Sequence, residues 1–269
     1  MAKKERCFCG SGKASKNCHR VTSDSRAEHL FKLFGEVDQA EKKYYENSDT
    51  KPQCYSGCNN CCSDFFTVSE VEFEIIMDEI HNTWTQEEIV SLYKRVMDNV
   101  RSFQSEHPEL VEALNTQLDY ERNINNLKSF KGKSRTSFPC PLLDSETGKC
   151  SVYEKRPFIC RTHGTTHYII EELRSLESTV CEYIPSRLKH NEVSPDLTDL
   201  HEKYEQIVNV ITNKGSLQIR KLPIFYGIFV LASINSFDPS KPVLKDRHNL
   251  DMSMKDSNKM QLKKAASMG

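Results

Sequence analysis

Apolar positions in the first half of the chain recur every three or four residues, which is the spacing of amphipathic helices. From Ser25 to Asn47 this stripe predicts one such helix. Two further helices each begin with a capping box, in which a Ser or Thr precedes a Glu by three residues. Ser69 with Glu72 begins one of them, and Thr85 with Glu88 begins the other. The first half of the chain is therefore expected to be helical.

The pattern becomes irregular between Pro139 and Tyr183, where Pro, Gly and Cys separate short segments. Two of these segments, 151–153 and 167–170, have the composition of strands. Helix is expected to resume after Ser194-Pro195, with the serine as cap and the proline in the first turn. A mostly apolar helix is predicted over 223–236. The sequence thus predicts a mainly α fold, a helical domain that contains an irregular cysteine-rich metal-binding region.

The overall composition gives no general attraction to nucleic acid or to an anionic membrane, because the net charge is only -1. The basic start, MAKKERCFCGSG, lacks the apolar segment of a secretory signal. The longest apolar run, 224–234, is well short of the roughly 20 residues that span a membrane. The protein is therefore expected to be cytoplasmic, without a membrane span. In a reducing cytosol its 11 cysteines suggest metal ligation, catalysis or packing rather than a disulfide framework.

Three thiols and an imidazole lie close together at the N-terminus, at Cys7, Cys9, Cys18 and His19. They make one complete tetrahedral ligand set for a metal, and two glycines between them allow the tight turn that such a short loop needs. The string CFCGSGKASKNCH resembles the SEC-C motif, a zinc-binding module. The resemblance implies zinc at these four residues and docking of the finger on a protein or ribosomal partner. The surrounding basic residues leave nucleic acid open as another partner.

Eight further cysteines form a larger group in the middle of the chain. Four of them follow the pattern Cys-x3-Cys-x2-Cys-Cys, and the other four are spread over the loop-rich segment. Packing explains such spacing poorly, since buried structural cysteines occur singly. The eight thiols could complete two more four-ligand sites, or one four-thiolate cluster with other thiols nearby. They are Cys54, Cys58, Cys61, Cys62, Cys140, Cys150, Cys160 and Cys181.

The strings CYSGCNNCC, CPLL and CSVYEKRPFICR resemble the YkgJ family of cysteine-cluster proteins, a zinc- or iron-chelating domain. The resemblance spans roughly residues 54 to 163. It implies that the first seven cysteines of the larger group are metal ligands, with Cys181 as an extension of the set. Relatives in that family include flagellin lysine methylases, which leaves an enzymatic role open.

Charged and imidazole side chains near Cys160 are candidates for a supporting role. A four-thiolate zinc carries a formal charge of about -2, so Arg156 and Arg161 are expected to offset it from outside the ligand set. His163 and His167 follow at short range, and either imidazole could replace a thiol on the metal.

Ligand type does not choose between zinc and an iron–sulfur cluster, because thiolates suit both. The spacing Cys54-x3-Cys58-x2-Cys61 reproduces the arrangement that radical S-adenosylmethionine enzymes use to hold a cluster. Those enzymes need strands alternating with helices, whereas these segments are mainly helical. Cys62 also adds a ligand where an open position would be required.

The leading hypothesis is a metal-binding protein with zinc at the N-terminal finger and zinc or an iron–sulfur cluster at the main site. The alternatives are a metal-dependent or iron–sulfur enzyme similar to lysine methylases, and an adaptor whose metals only fold its loops. No catalytic residue is predicted. The expected domains are a SEC-C-like finger at 1–22, a helical cysteine-cluster domain at 25–240 and a mobile tail at 241–269.

Overall fold

The computed structural model describes the residues that carry most of the predicted helices and six of the cysteines. The described residues are 26–49, 57–108, 110–111, 135–163, 166–170, 175–178, 194–208, 210–211, 217–218 and 221–234. The N-terminal finger and the predicted tail lie outside them. The ligand candidates outside them are Cys7, Cys9, Cys18, His19, Cys54 and Cys181.

The described residues are mainly helical, as predicted, with short antiparallel strand pairs beside the helices. The α-helices are α1 (Arg26–Glu46), α2 (Glu70–Thr83), α3 (Gln86–Glu106), α4 (Phe158–Thr162), α5 (Thr198–Val208) and α6 (Ile224–Ile234). The strands are β1 (Thr67–Ser69), β2 (His167–Ile170), β3 (Ser175–Ser178), β4 (Val210–Ile211), β5 (Leu217–Gln218) and β6 (Lys221–Pro223). The pairs are β1 with β6, β2 with β3, and β4 with β5. None of the described helices is long and apolar enough to cross a membrane.

The described residues fall in two compact units that alternate along the chain. The first unit contains residues 26–49 and the described residues from 156 to 218. The second unit contains the described residues from 57 to 155, together with 221–234. The predicted helical domain at 25–240 spans both units, and the predicted boundaries of the finger and the tail stay predictions.

In the first unit, α1 packs against α4 and α5. The predicted apolar stripe of α1 is its buried face, which includes Ala27, Leu30 and Val37. The ring of Phe158 in α4 stacks on Tyr204 of α5 with centroids 4.4 Å apart. These contacts confirm the helix predicted between residues 25 and 47.

In the second unit, α3 packs against α6. The ring of Phe225 in α6 lies between two others of the core, with centroids 5.1 Å from Phe103 and 5.2 Å from Phe138. Gly227 of α6 lies so close to Phe73 of α2 that an added Cβ would lie 2.8 Å from the ring. The core of this unit is therefore closed by a helix that comes late in the sequence.

Both predicted capping boxes are present. The Glu72 carboxylate accepts hydrogen bonds from the Ser69 backbone N–H at 2.9 Å and from its hydroxyl at 2.6 Å. The Glu88 carboxylate accepts from the Thr85 N–H at 2.6 Å, and the Thr85 hydroxyl accepts from the Glu88 N–H at 3.2 Å. Each box satisfies backbone donors that the first turn of a helix leaves unpaired.

Two local predictions after residue 150 are wrong, although β2 forms where it was expected. Residues 151–152 make a turn and Tyr153–Lys155 a 3-10 helix, because the Val152 carbonyl accepts from the Lys155 N–H at 2.8 Å. Helix α5 begins at Thr198 rather than at Pro195. Its first N–H donates to the Asp196 carboxylate at 2.9 Å, so Asp196 takes the capping role predicted for Ser194.

Candidate metal centre

Cys58, Cys61 and Cys62 lie on a tight loop before β1 in the second unit, and all three are half-buried. A 3-10 helix at Asn60–Ser63 carries Cys61 and Cys62. The Cys62 N–H donates to the Asn59 carbonyl at 2.9 Å, which closes the turn. Gly57 supports the start of the loop with a φ of 95°, a conformation that L side chains rarely adopt.

A second segment, 135–140, runs beside this loop and brings Cys140 to it. The Thr136 N–H donates to the Ser63 carbonyl at 2.6 Å, and the Cys140 N–H donates to the Cys62 carbonyl at 2.6 Å. Ser63 and Thr136 are 73 residues apart in the chain. This backbone pairing therefore places cysteines from two distant segments side by side.

A short turn then brings Cys150 back towards Cys140. Leu143 and Cys150 form an isolated antiparallel bridge, and the Leu143 N–H donates to the Cys140 carbonyl at 3.0 Å. Between them the Asp144 carboxylate accepts from two backbone N–H groups, those of Thr147 and Glu146, each at 2.9 Å. These two hydrogen bonds lower the pKa of Asp144 and hold the loop in a fixed shape.

The loop that precedes Cys150 also touches the loop of Cys58. Gly148 has a φ of 68°, and a Cβ there would lie 3.1 Å from the Gly57 carbonyl oxygen. It would also lie 3.3 Å from Nδ2 of Asn59. Glycine is therefore required at position 148 both for its backbone conformation and for this approach.

The thiols of this region affect one another's ionisation. The pKa of Cys61 is raised by its hydrogen bond with the Cys62 thiol, then by burial and by the charges of Cys62 and Asp64. Burial raises the pKa of Cys140 to about 12, and negative charge at Cys150 and Cys61 adds to the effect. Cys61 thus interacts electrostatically with Cys62, and Cys140 interacts with Cys61 and Cys150.

Such a group of thiols fits a metal ion chemically. Neighbouring thiols and burial disfavour the ionisation of Cys61 and Cys140, and a divalent cation would stabilise both as thiolates. No disulfide joins the six described cysteines. Among the described residues, no group of three or more Cys, His, Asp or Glu side chains is arranged so that it could hold a metal ion.

Cys160, predicted to belong to the main cluster, lies in α4 of the first unit. The structure gives Arg161 a carboxylate partner. The Arg161 side chain is 5% exposed, and its Nη1 donates to both carboxylate oxygens of Asp38 at 3.0 Å. Its guanidinium also lies over the ring of Phe34 and donates to the Arg156 carbonyl. This contact explains the burial of Arg161 without a metal.

The two candidate histidines also lie in the first unit. His167 is buried in β2, where its Nδ1 is 3.0 Å from the Ser194 hydroxyl. Its backbone pairs with the segment around Asp196. His163 follows α4, and its N–H donates to the Ile159 carbonyl at 2.9 Å. The described contacts of both residues are structural, and metal ligation by either stays a prediction.

Two residues of α3, Arg95 and Asn99, contact the segment that carries Cys140. Neither is among the site residues predicted from the sequence. Asn99 had a signal in the sequence, because it interrupts a stripe of apolar residues on a buried helix face. A polar side chain in such a stripe needs a hydrogen-bond partner.

Comparison with known proteins supports a metal-chelating role for this region. No curated protein and no solved structure matches the chain. Residues 53–182, just under half of the chain, match the model of the CxxCxxCC family, described as a "Putative zinc- or iron-chelating domain". The matched segment includes all eight cysteines of the larger group. The main cysteine cluster therefore lies in a domain that is similar to this zinc- or iron-chelating family.

Proposed function

We propose that the protein binds zinc or iron through a thiolate centre in the second unit. The ligands of this centre include Cys61, Cys62, Cys140 and Cys150. One observation carries the proposal, namely the backbone pairing of Cys140 with Cys62 across two distant segments. It supports a shared site because the N–H···O bond between the two backbones keeps Cys140 and Cys62 side by side.

Packing alone accounts poorly for this arrangement. A cysteine that serves as a small apolar residue is usually isolated within a core. Here the thiols lie on loops, and Cys140 and Cys150 only border the hydrophobic core. Placing several half-buried thiols together has a cost in desolvation, which metal ligation would offset as folding free energy.

The donor set is compatible with a closed zinc site or with an iron–sulfur cluster. Zinc would stabilise the loops around Cys58 and Cys150, whereas a cluster would also accept and donate electrons. In either case the residues of this chain provide thiolate ligands on a backbone framework held by the pairing between 60–64 and 135–140.

The decisive measurement is the content of zinc, iron and sulfide in the full-length protein purified without oxygen, together with its absorption spectrum. Cys140→Ser should remove the metal of the main centre. Ser151→Ala is the matched control, since Ser151 is exposed beside Cys150 and its backbone N–H is unchanged. Unchanged metal content in Cys140→Ser would contradict the proposal.

We infer further that the N-terminal finger holds a separate zinc ion and docks on a protein or ribosomal partner. The ligand set of Cys7, Cys9, Cys18 and His19 and the basic residues around it support this inference. Deleting residues 1–20 should remove one zinc ion per chain and leave the metal of the main centre in place. Loss of both metals would contradict the separation of the two sites.

A further inference from the structure

Helix α3 presents a row of polar side chains to the segment that carries Cys140. From the C-terminal end of the helix backwards, Glu106 contacts the Ser137 hydroxyl, Asn99 contacts Pro139, and Arg95 contacts Pro141. The segment therefore runs antiparallel to α3. Both Pro139 and Pro141, the immediate neighbours of Cys140, are held by the helix.

The two prolines explain why α3 holds this segment through backbone carbonyl groups. Proline has no backbone N–H, so its carbonyl is the only backbone group that can anchor the chain at that residue. Nδ2 of Asn99 donates to the Pro139 carbonyl at 3.2 Å, and Nε of Arg95 donates to the Pro141 carbonyl at 3.2 Å. The backbone of Cys140 itself is held by the Cys62 carbonyl and by Leu143.

The burial of Asn99 indicates that its hydrogen bond matters. Asn99 is 9% exposed and lies on the face of α3 that also buries Val96, Val100 and Phe103. A buried amide without a partner costs free energy, whereas an apolar residue at this position would simply extend the core. Its described contact is the carbonyl beside Cys140, so the amide serves this segment.

Arg95 differs from Asn99 in carrying a charge. Its Nη1 donates to the Ser91 hydroxyl at 2.8 Å, one turn earlier in α3, which orients the guanidinium. The hydrogen bond from its Nε to the Pro141 carbonyl holds this positive charge one residue from Cys140. A cation held beside a thiol favours its charged thiolate form.

We propose that Arg95 and Asn99 are positioning residues for the metal centre, which together aim the Cys140 thiolate, and that Arg95 also offsets the negative charge of the thiolates. The inference rests on the proposed function of Cys140 as a ligand. It gives Arg95 a charge-compensating role of the kind that the sequence predicts for Arg156 and Arg161; the charge of Arg161 is paired with Asp38.

The test is a set of full-length variants in a Cys9→Ser background, which removes a predicted ligand of the finger. Zinc affinity is measured by competition with a chromophoric chelator. Thiolate ligation is followed by the near-ultraviolet charge-transfer absorption of the cobalt(II)-substituted protein. Arg95→Gln and Asn99→Leu should each weaken zinc binding by about 10- to 100-fold, the usual effect of losing a residue that orients a ligand.

Arg95→Lys separates the two roles of Arg95, because it keeps the charge but loses the planar donor group. Its zinc affinity should lie between those of the wild type and Arg95→Gln. Arg101→Gln is the matched control on the same helix, since the Arg101 side chain is 74% exposed and pairs with Asp98 at the surface. It should bind zinc like the parent protein.

A purely structural role would lower the stability of the metal-free protein but leave the affinity and the cobalt spectrum of the folded protein unchanged. That result in Arg95→Gln would overturn the proposal. Because Arg95 is exposed, its substitution should leave the fold intact, so this variant tests the proposal even if Asn99→Leu does not fold. If Cys140→Ser in the same background bound zinc normally, the proposed function itself would fail.

Discussion

Replacing Gly148 tests whether the loops of Cys58 and Cys150 depend on their close approach. An alanine at this position must adopt a φ of 68°. The left-handed conformation costs an L-residue about 1–2 kcal/mol. The new Cβ would also lie 3.1 Å from the Gly57 carbonyl oxygen, a backbone atom that cannot rotate away.

Relieving that contact requires the two loops to separate, and overpacking of this kind costs about 1–3 kcal/mol. Gly148→Ala should therefore lower the free energy of unfolding of the second unit by about 2–5 kcal/mol. With a urea dependence near 2 kcal/mol per molar, the unfolding midpoint falls by about 1–2.5 M. Zinc binding should weaken as well, because the same contact holds the two cysteine loops together.

The assay is urea unfolding followed by the fluorescence of Trp84, the single tryptophan, which packs against the core of the second unit. Gly148→Asn is the control, since asparagine tolerates the left-handed region better than alanine but carries the same Cβ. Gly148→Asn should be less destabilised than Gly148→Ala, because it avoids part of the cost of the left-handed conformation. The cost of the contact between the Cβ and the Gly57 carbonyl oxygen should remain. A Gly148→Ala midpoint equal to that of the wild type would refute the reasoning.

Three other substitutions should change the stability of the protein, one by raising it and two by lowering it. Gly35→Ala in α1 meets no atom within 4 Å, so it should stabilise the protein by up to about 1 kcal/mol in a circular dichroism melt; a lower melting temperature would contradict this. Gly227→Ala gains the same helix propensity, but its Cβ lies 2.8 Å from Phe73, so the Trp84 signal should show net destabilisation. Asp38→Asn removes the charged acceptor of Arg161 and should cost about 1–3 kcal/mol, whereas an unchanged melt would show that this ion pair contributes nothing.

The parts of the fold that depend on residues close together in the sequence were predictable. The capping boxes at Ser69 and Thr85 and the apolar stripe of α1 each involve residues three or four positions apart. Local signals failed where a distant segment competed. Pro195 was expected in a helix, but its carbonyl accepts a hydrogen bond from His167 in β2, so the helix begins three residues later.

The candidate site was predictable in its ligand types but not in its arrangement. Cysteine spacing identified the loop of Cys58, Cys61 and Cys62, but it contains no information about which later cysteine pairs with it. That pairing depends on hydrogen bonds such as the one between Cys140 and Cys62, which join segments far apart in sequence. The partner of Arg161 was missed for the same reason, since Asp38 precedes it by 123 residues.

The late position of α6 affects the order of events during translation. The ring of Phe225 completes the aromatic core formed by Phe103 and Phe138, yet it is synthesised after the described residues of the first unit. Because a chain emerges from its N-terminus, the cysteine loops leave the ribosome before the helix that closes their core. A metal ion supplied during synthesis would encounter these thiols before α6 has packed into the core of the second unit. One supplied after release would encounter them after α6 has packed.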